Sequence, residues 1–168
     1  MDLIHESVNQ LGKTLVQHGF LLTTAESCTG GWIAEAITSV AGSSSWFERG
    51  FITYSNLSKK EMLGVLVTTL EVHGAVSEEV AREMATGALT HSVAHASLAV
   101  TGIAGPSGGT FEKPVGTVCF AWAIKDSKGK ADIRIESITE RFPGDRQNVR
   151  QQAVLTGLRG MMEMIEGK

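Results

Sequence analysis

The chain has 168 residues, of which 42% are hydrophobic and 20% charged, with a formal net charge of -3 and a pI of about 5.9. This balance excludes a disordered chain and predicts one globular domain over residues 1–168. The slight acidity excludes an overall positive field of the kind that holds nucleic acid. Two cysteines are too few for a disulfide framework, and no signal peptide or run of about 20 apolar residues is present, so we expect a cytoplasmic protein without a membrane span.

Helix and strand patterns alternate in the first half of the chain. Apolar residues recur at helical spacing in the N-terminal segment, which a glycine then ends. Ser55 or Asn56 is a suitable N-cap for the third helix. The predicted elements are a helix over 3–18, a strand over 20–24, a helix over 30–41, a strand over 46–54 and a helix from 55 or 56 to about 64.

The second half begins with another helix start, because Ser77 is followed by two acidic residues that suit the positive end of a helix. A long loop rich in glycine and proline follows the next strand. The predicted elements are a helix over 77–95, a strand over 97–101, a loop over 102–114, strands over 115–124 and 131–139 joined by a hairpin turn at 126–130, and a helix over 144–165. This order predicts a three-layer α/β/α sandwich with a mixed β-sheet.

Ser27 stands in the segment 24–31 (TAESCTGG), where a strand is expected to turn into a helix. Such turns lie at the carboxyl edge of an open α/β sheet, where ligands bind. The first N–H groups of a helix have no intrahelical acceptor and can hold an anion or a developing oxyanion. Ser27 is therefore a candidate nucleophile, although Ser27 or Thr29 could equally be only an N-cap. Cys28 is the alternative nucleophile, but no particular histidine is marked as its partner.

Three other motifs are weaker. Ser107 fits the G-x-S-x-G pattern of hydrolases, but that turn must lead into a helix, and here a loop and a strand follow. Ser127 and Lys130 fit S-x-x-K within the predicted hairpin turn, where no helix aligns them. His91 and His95 have the spacing of metal ligands on a helix, but no acidic third ligand accompanies them in a metalloprotease pattern, and we predict no metal site.

Several segments in a fixed order resemble the CinA C-terminal-domain family. The resemblance extends from about residue 3 to 165, nearly the whole chain. The segments are 24–31 (TAESCTGG), 46–50 (WFERG), 53–56 (TYSN) with Lys59, 73–77 (HGAVS), 102–106 (GIAGP), 113–118 (KPVGTV) and 144–146 (GDR) with Arg150.

Stand-alone members of that family are nicotinamide-nucleotide amidases. The resemblance implies hydrolysis of the carboxamide of nicotinamide mononucleotide (NMN) to nicotinate mononucleotide and ammonia, without a cofactor. It implies Ser27 as nucleophile and Lys59 as general base, with Tyr54 assisting. It also suggests a homodimer. Trp46 and Phe47 would suit an interface, although packing in the core explains them equally well.

A lysine base must be neutral to accept the proton of a serine hydroxyl. At its ordinary pKa, only roughly one lysine in a thousand is neutral at pH 7.4, which is a handicap of about 4 kcal/mol. Burial or a nearby positive charge lowers the pKa of a lysine, and Arg49 is a candidate for that charge. Lys59 and Lys60 are adjacent on a helix, so only one of them can face the site.

The remaining site residues are expected to bind the substrate. Backbone N–H groups around Thr29, Gly30 and Gly31 are expected to hold the oxyanion. The substrate phosphate needs arginine or backbone N–H donors. The candidates are Thr101, Gly102 and Gly105 in the long loop, and Arg146 and Arg150, which are four residues apart on one face of the last helix.

Two other functions remain open. The chain could be a non-catalytic module that binds a nucleotide, or an amidohydrolase that acts on another carboxamide metabolite. Intact Ser27 and Lys59 positions favour an enzyme over a binding module. Release of ammonia from NMN separates the first alternative from the predicted function, and a panel of carboxamides separates the second.

Overall fold

A computed structural model describes residues 2–125 and 132–167, in which a five-stranded sheet lies between two layers of helices. A short 3₁₀ turn over Ser43–Ser45 precedes β2. The elements are α1 (Leu3–His18), β1 (Leu22–Glu26), α2 (Trp32–Thr38), β2 (Phe47–Ile52), α3 (Asn56–Leu63), α4 (Val67–His73), α5 (Glu78–Thr90), β3 (Ala96–Gly102), β4 (Thr117–Lys125), β5 (Ile133–Arg141) and α6 (Arg146–Glu166).

The strand order is β2-β1-β3-β4-β5. β1 pairs in parallel with both β2 and β3, whereas β4 is antiparallel to β3 and β5 is antiparallel to β4. The predicted sandwich with a mixed sheet is therefore confirmed. The predicted hairpin turn, with Ser127 and Lys130, lies outside the described residues.

Two apolar clusters cover the two faces of the sheet. On one face α1, α2 and α6 enclose a cluster that includes Leu11, Leu22 and Phe120. On the other face α5 packs through small residues such as Ala85 and Ala88. Trp46 belongs to the first cluster and is only 5% exposed, so packing in the core, rather than an interface, accounts for it.

Local capping chemistry sets several helix ends where the sequence predicts them, although α2 ends at Thr38 and not at the predicted residue 41. Gly19 ends α1 with φ of 67°, in the left-handed region that glycine adopts without strain. Ser55, not Asn56, caps α3 by accepting a hydrogen bond from the Ser58 N–H, and Gly64 ends that helix. Ser77 caps α5 in the same way through the Val80 N–H.

Helix α4 was not predicted from the sequence. None of its residues is buried, and no side chain of its own caps its N-terminus. Instead Glu83 of α5 accepts hydrogen bonds from the Leu66 N–H (2.8 Å) and the Thr69 hydroxyl (2.6 Å). A residue of the following helix thus supplies the cap, and local sequence carries no signal for it.

Helix α5 ends at Thr90, whereas the sequence predicted a helix to residue 95. Beyond its end His95 turns toward the start of β1, where its Nδ1 accepts a hydrogen bond from the Leu21 N–H (2.9 Å) and its ring stacks on Phe20. His91 and His95 therefore do not share one helix, and the metal-ligand spacing read from the sequence does not exist in the structure.

None of the helices in residues 2–125 and 132–167 is both long and apolar enough to cross a membrane.

Candidate active site

A polar cavity of about 310 Å³ opens at the edge of the sheet where the parallel strands β1 and β3 end. The loops that follow these strands and the start of α3 form its walls. Lining residues include Ser27, Cys28, Tyr54, Asn56, Lys59, Thr101, Gly102, Gly105, Ser107 and Arg146. The structure thus brings together seven of the predicted site residues, at the edge where the strand order predicts a ligand site.

Ser27 and Lys59 are hydrogen-bonded inside this cavity. The distance from Lys59 Nζ to Ser27 Oγ is 3.0 Å, and Nζ also donates to the backbone oxygen of Tyr54 at 3.2 Å. Ser27 is 7% exposed and Lys59 only 1%. This is the arrangement that a serine nucleophile and its base require.

Burial lowers the pKa of Lys59 from its ordinary value of 10.5. The dominant cause is desolvation of the ammonium, because a charged form loses more in leaving water than a neutral amine does. Arg49 does not supply the predicted positive charge. It lies on the edge strand β2, where its guanidinium pairs with Glu48 and donates a hydrogen bond to the backbone oxygen of His91. Lys60 is exposed, so only Lys59 of the two neighbours faces the site.

The close approach of α3 to α5 places Lys59. Gly87 lies on α5 beneath the end of α3, and a Cβ at this position would collide with the backbone oxygen of Leu63. Leu63 is 2% exposed and belongs to the same buried cluster as Met84 and other residues of α5. The helix that carries Lys59 is therefore fixed by packing as well as by its cap.

Cys28 also lines the cavity, but its thiol is a poor nucleophile. Burial raises the pKa of Cys28 from 9.0 to about 12. The reactive form of a cysteine is the thiolate, which is scarce near neutral pH at such a pKa. Of the two adjacent candidates, the geometry and protonation favour Ser27.

The loop after Ser27 is held by Glu26, whose side chain is 1% exposed. Its carboxylate accepts hydrogen bonds from the Thr29 hydroxyl and from the N–H groups of Ile33 and Ala34 at the start of α2. The Gly30 N–H donates to the Ser27 backbone oxygen. These contacts correct the expectation that the start of α2 holds an oxyanion, because a carboxylate already occupies it, and Thr29, Gly30 and Gly31 do not line the cavity.

Arg146 and Arg150 have different environments although they are one helical turn apart. Arg146 lines the cavity, and its guanidinium donates to the Gly105 backbone oxygen (2.7 Å) and to the Tyr54 hydroxyl (3.2 Å). Arg150 donates to the backbone oxygens of Cys28 (3.1 Å) and Thr29 (3.0 Å) and lies over the Trp32 ring. Arg150 therefore supports the loop and does not join Arg146 at a phosphate, contrary to expectation.

The long loop contributes mainly backbone to the cavity. The Thr101 hydroxyl donates to the Ala75 oxygen at 2.9 Å, so its side chain ties the end of β3 to the segment before α5. A Cβ at Gly102 would lie 2.8 Å from Val118 and 3.1 Å from Cys28, which leaves no room for a side chain. Gly105 has φ of 87°, a conformation that favours glycine.

Sequence reasoning missed some lining residues. The sequence marks Asn56 only as a possible helix cap, yet it lines the cavity, as do Ala75 and Val76. The HGAVS segment was the only signal for the latter two. Ser107 is also at the cavity, in an exposed loop that no helix follows. In the part of the chain that the structure describes, no group of three His, Cys, Asp or Glu side chains is arranged to hold a metal ion.

Comparison with known proteins identifies the family of this chain. The family model for the CinA C-terminal domain matches residues 4–165. Proteins named nicotinamide-nucleotide amidohydrolase PncC are 52% identical in Enterobacter agglomerans, over 92% of this chain and 91% of that protein, and 53% identical in Escherichia coli K12, over 92% and 90%. The crystal structure of a CinA superfamily protein from Klebsiella pneumoniae 700603 has a TM-score of 0.90 and 38% identity, over 98% of this chain and 99% of that one. The chain belongs to the CinA C-terminal domain family.

Proposed function

We propose that this chain is a nicotinamide-nucleotide amidohydrolase that converts NMN and water to nicotinate mononucleotide and ammonia. The names of relatives that are 52–53% identical over 92% of the chain support the substrate. The observation that carries the mechanism is the 3.0 Å contact between Lys59 Nζ and Ser27 Oγ in a polar cavity.

In the proposed acylation step, Ser27 Oγ attacks the carboxamide carbon while neutral Lys59 accepts its proton. The tetrahedral intermediate collapses as the Lys59 ammonium returns a proton to the departing nitrogen, which leaves as ammonia. The Tyr54 backbone oxygen orients Nζ through its 3.2 Å hydrogen bond. Because Lys59 begins and ends this step neutral, its lowered pKa serves both proton transfers.

Deacylation uses the same two groups. Water enters where ammonia left, Lys59 accepts a proton from it, and hydroxide attacks the ester carbon. Ser27 then leaves with the proton that Lys59 holds, which restores the starting state. For the oxyanion in both steps we assign the N–H of Cys28, the residue that directly follows the nucleophile.

The substrate phosphate is assigned to Arg146 and the loop beside it. Arg146 is the arginine among the lining residues, and its position is fixed by Gly105 and the Tyr54 hydroxyl. A guanidinium held in this way offers further N–H donors to a phosphate. Tyr54 is 62% exposed, so its ring is open to solvent at the cavity.

The test is release of ammonia from NMN by the wild-type protein and by Ser27→Ala, Lys59→Ala and Lys60→Ala. We expect kcat to fall by about a thousandfold or more in the first two, as for other members of a nucleophile and base pair. The exposed neighbour Lys60 is the matched control and should leave kcat unchanged. With a slow substrate, intact-protein mass spectrometry should find an adduct on Ser27 and not on Cys28.

Two outcomes would replace the proposal. Tight binding of NMN without turnover by the wild-type protein would indicate a nucleotide-binding module. Faster turnover of another carboxamide in a substrate panel would indicate a different amidohydrolase. If Ser27→Ala or Lys59→Ala keeps near wild-type kcat, the assignment of nucleophile and base is wrong.

The homodimer and the cytoplasmic location stay predictions. Light scattering of the purified protein measures its mass in solution, for which a dimer of two 17.9 kDa chains is expected.

A further inference from the structure

Glu26 is a buried carboxylate beside the nucleophile that the proposed chemistry does not use. It is 1% exposed. Its Oε1 accepts hydrogen bonds from the Thr29 hydroxyl (2.6 Å) and the Ile33 N–H (2.9 Å), and its Oε2 accepts one from the Ala34 N–H (3.0 Å). Burying a carboxylate costs free energy because the group loses its water. The three hydrogen bonds to Glu26 offset this desolvation cost.

The three donors come from the turn that follows Ser27 and from the helix after that turn. Thr29 belongs to the turn itself, whereas Ile33 and Ala34 belong to the first turn of α2. One carboxylate therefore fixes the loop relative to the helix. The backbone of Glu26 is fixed as well, because its oxygen accepts the Thr53 N–H from the end of the neighbouring strand at 2.8 Å.

Arg150 holds the same loop from the side of α6, through the backbone oxygens of Cys28 and Thr29. The Ser27 N–H donates to the Val100 oxygen on β3. The segment 27–29 is thus tied to α2, α6 and β3 by hydrogen bonds. Such a dense set of contacts fixes the backbone at the residue that carries the nucleophile.

We propose that Glu26 is a positioning residue that holds Ser27 Oγ at the attacking distance from the substrate, acting through Thr29 and the start of α2. The inference rests on Ser27 being the nucleophile in the proposed function. Glu26 is not among the groups that shift the pKa of Lys59, which burial sets, so the effect is on geometry and not on the base. A misplacement of about 1 Å can cost a hundredfold in rate.

The test compares Glu26→Ala, Glu26→Gln and Thr29→Val with the wild type. The first readout is the rate at which a small sulfonyl fluoride labels Ser27, which requires no particular carboxamide substrate. We expect labelling and kcat to fall by about a hundredfold in Glu26→Ala and about tenfold in Thr29→Val, with KM changed by less than about threefold. Glu26→Gln should lose less than Glu26→Ala, because its amide oxygen still accepts from Thr29 and Ile33.

Asp2→Ala is the matched control, since Asp2 caps α1 through the Ile4 N–H and is not at the cavity. It should lower the melting temperature without changing the labelling rate. Equal labelling of folded Glu26 variants and wild type would overturn the positioning role. If Glu26→Ala does not fold, Thr29→Val and Glu26→Gln decide by the same criterion.

The two proposals fail separately. Rapid labelling of Ser27 without ammonia release from NMN would remove the proposed substrate and leave the role of Glu26 intact. Release of ammonia from NMN by the wild type, together with unchanged labelling of the Glu26 and Thr29 variants, would support the proposed function and remove the positioning role of Glu26. Labelling that persists in Ser27→Ala would exclude Ser27 as the labelled residue, and with it both assignments.

Discussion

Two loops follow the neighbouring strands β1 and β3, and they differ in how they are held. In the loop over 27–31 the first three residues are buried and tied by Glu26 and Arg150. In the loop over 103–116, residues 106–112 are all exposed, and Phe111 has no burial at all. The fixed loop carries the proposed nucleophile, whereas the exposed loop lines the part of the cavity that we propose for the rest of the substrate. If these roles are correct, changes in the first loop should affect kcat and changes in the second should affect KM.

The largest effect should come from protonation of Lys59, which is hydrogen-bonded to Ser27 of the fixed loop. Its pKa is lowered by burial, and only the neutral amine can accept a proton, so activity should rise with pH and level off above that pKa. Below it, kcat/KM should fall about tenfold for each pH unit. The midpoint should be below 10.5, and a rate that is flat across the whole acidic limb would contradict Lys59 as the base.

Lys59→Met is the control for this titration. The unfolded chain binds more protons than the folded one between the lowered pKa and 10.5, so stability of the wild type should rise with pH through that window. Methionine has no proton to lose, and the variant should lack this rise while it also lacks activity. Chemical unfolding at several pH values measures the difference.

The next largest changes in kcat and KM are expected from substitution of the two arginines of α6. Arg150→Ala removes two hydrogen bonds from the fixed loop and should lower kcat by about ten- to a hundredfold with little change in KM. Arg146→Ala should instead raise KM for NMN by about tenfold or more, and should affect any activity on free nicotinamide far less. Steady-state kinetics with both substrates separates them. Equal effects of Arg146→Ala on both substrates would remove its phosphate role.

The smallest effect should come from the thiol of Cys28. The variant Cys28→Ala keeps the backbone N–H and the contacts of its oxygen with Arg150, so kcat should stay within about tenfold of wild type. Thiol reagents should label the folded protein slowly, because burial raises the pKa of Cys28 to about 12. Loss of activity comparable to that of Ser27→Ala would mean that the fixed loop carries a different nucleophile.

Much of the architecture could be predicted because the relevant signals are local. Ser55 and Gly64 delimit α3, and that helix presents Lys59 to Ser27 as the TYSN segment with Lys59 suggested. Helix α4 escaped prediction because its cap comes from Glu83 on α5.

The different environments of Arg146 and Arg150 could not be predicted from the sequence either. Their spacing predicts one shared face, but the backbone oxygens that bind Arg150 belong to a loop more than a hundred residues earlier in the chain. The sequence gives no signal for the role of Glu26, because its hydrogen bonds to the start of α2 are identifiable only in the folded structure.

Gly87 has a consequence for how this protein can change by mutation. Any side chain at Gly87 would meet the backbone oxygen of Leu63 and displace α3, the helix that carries the proposed base Lys59. The backbone of Leu63 cannot move aside as a flexible side chain can, so even the methyl group of alanine at position 87 would force α3 and α5 apart. We therefore expect that no substitution of Gly87 is tolerated while activity depends on Lys59, although Gly87 does not line the cavity.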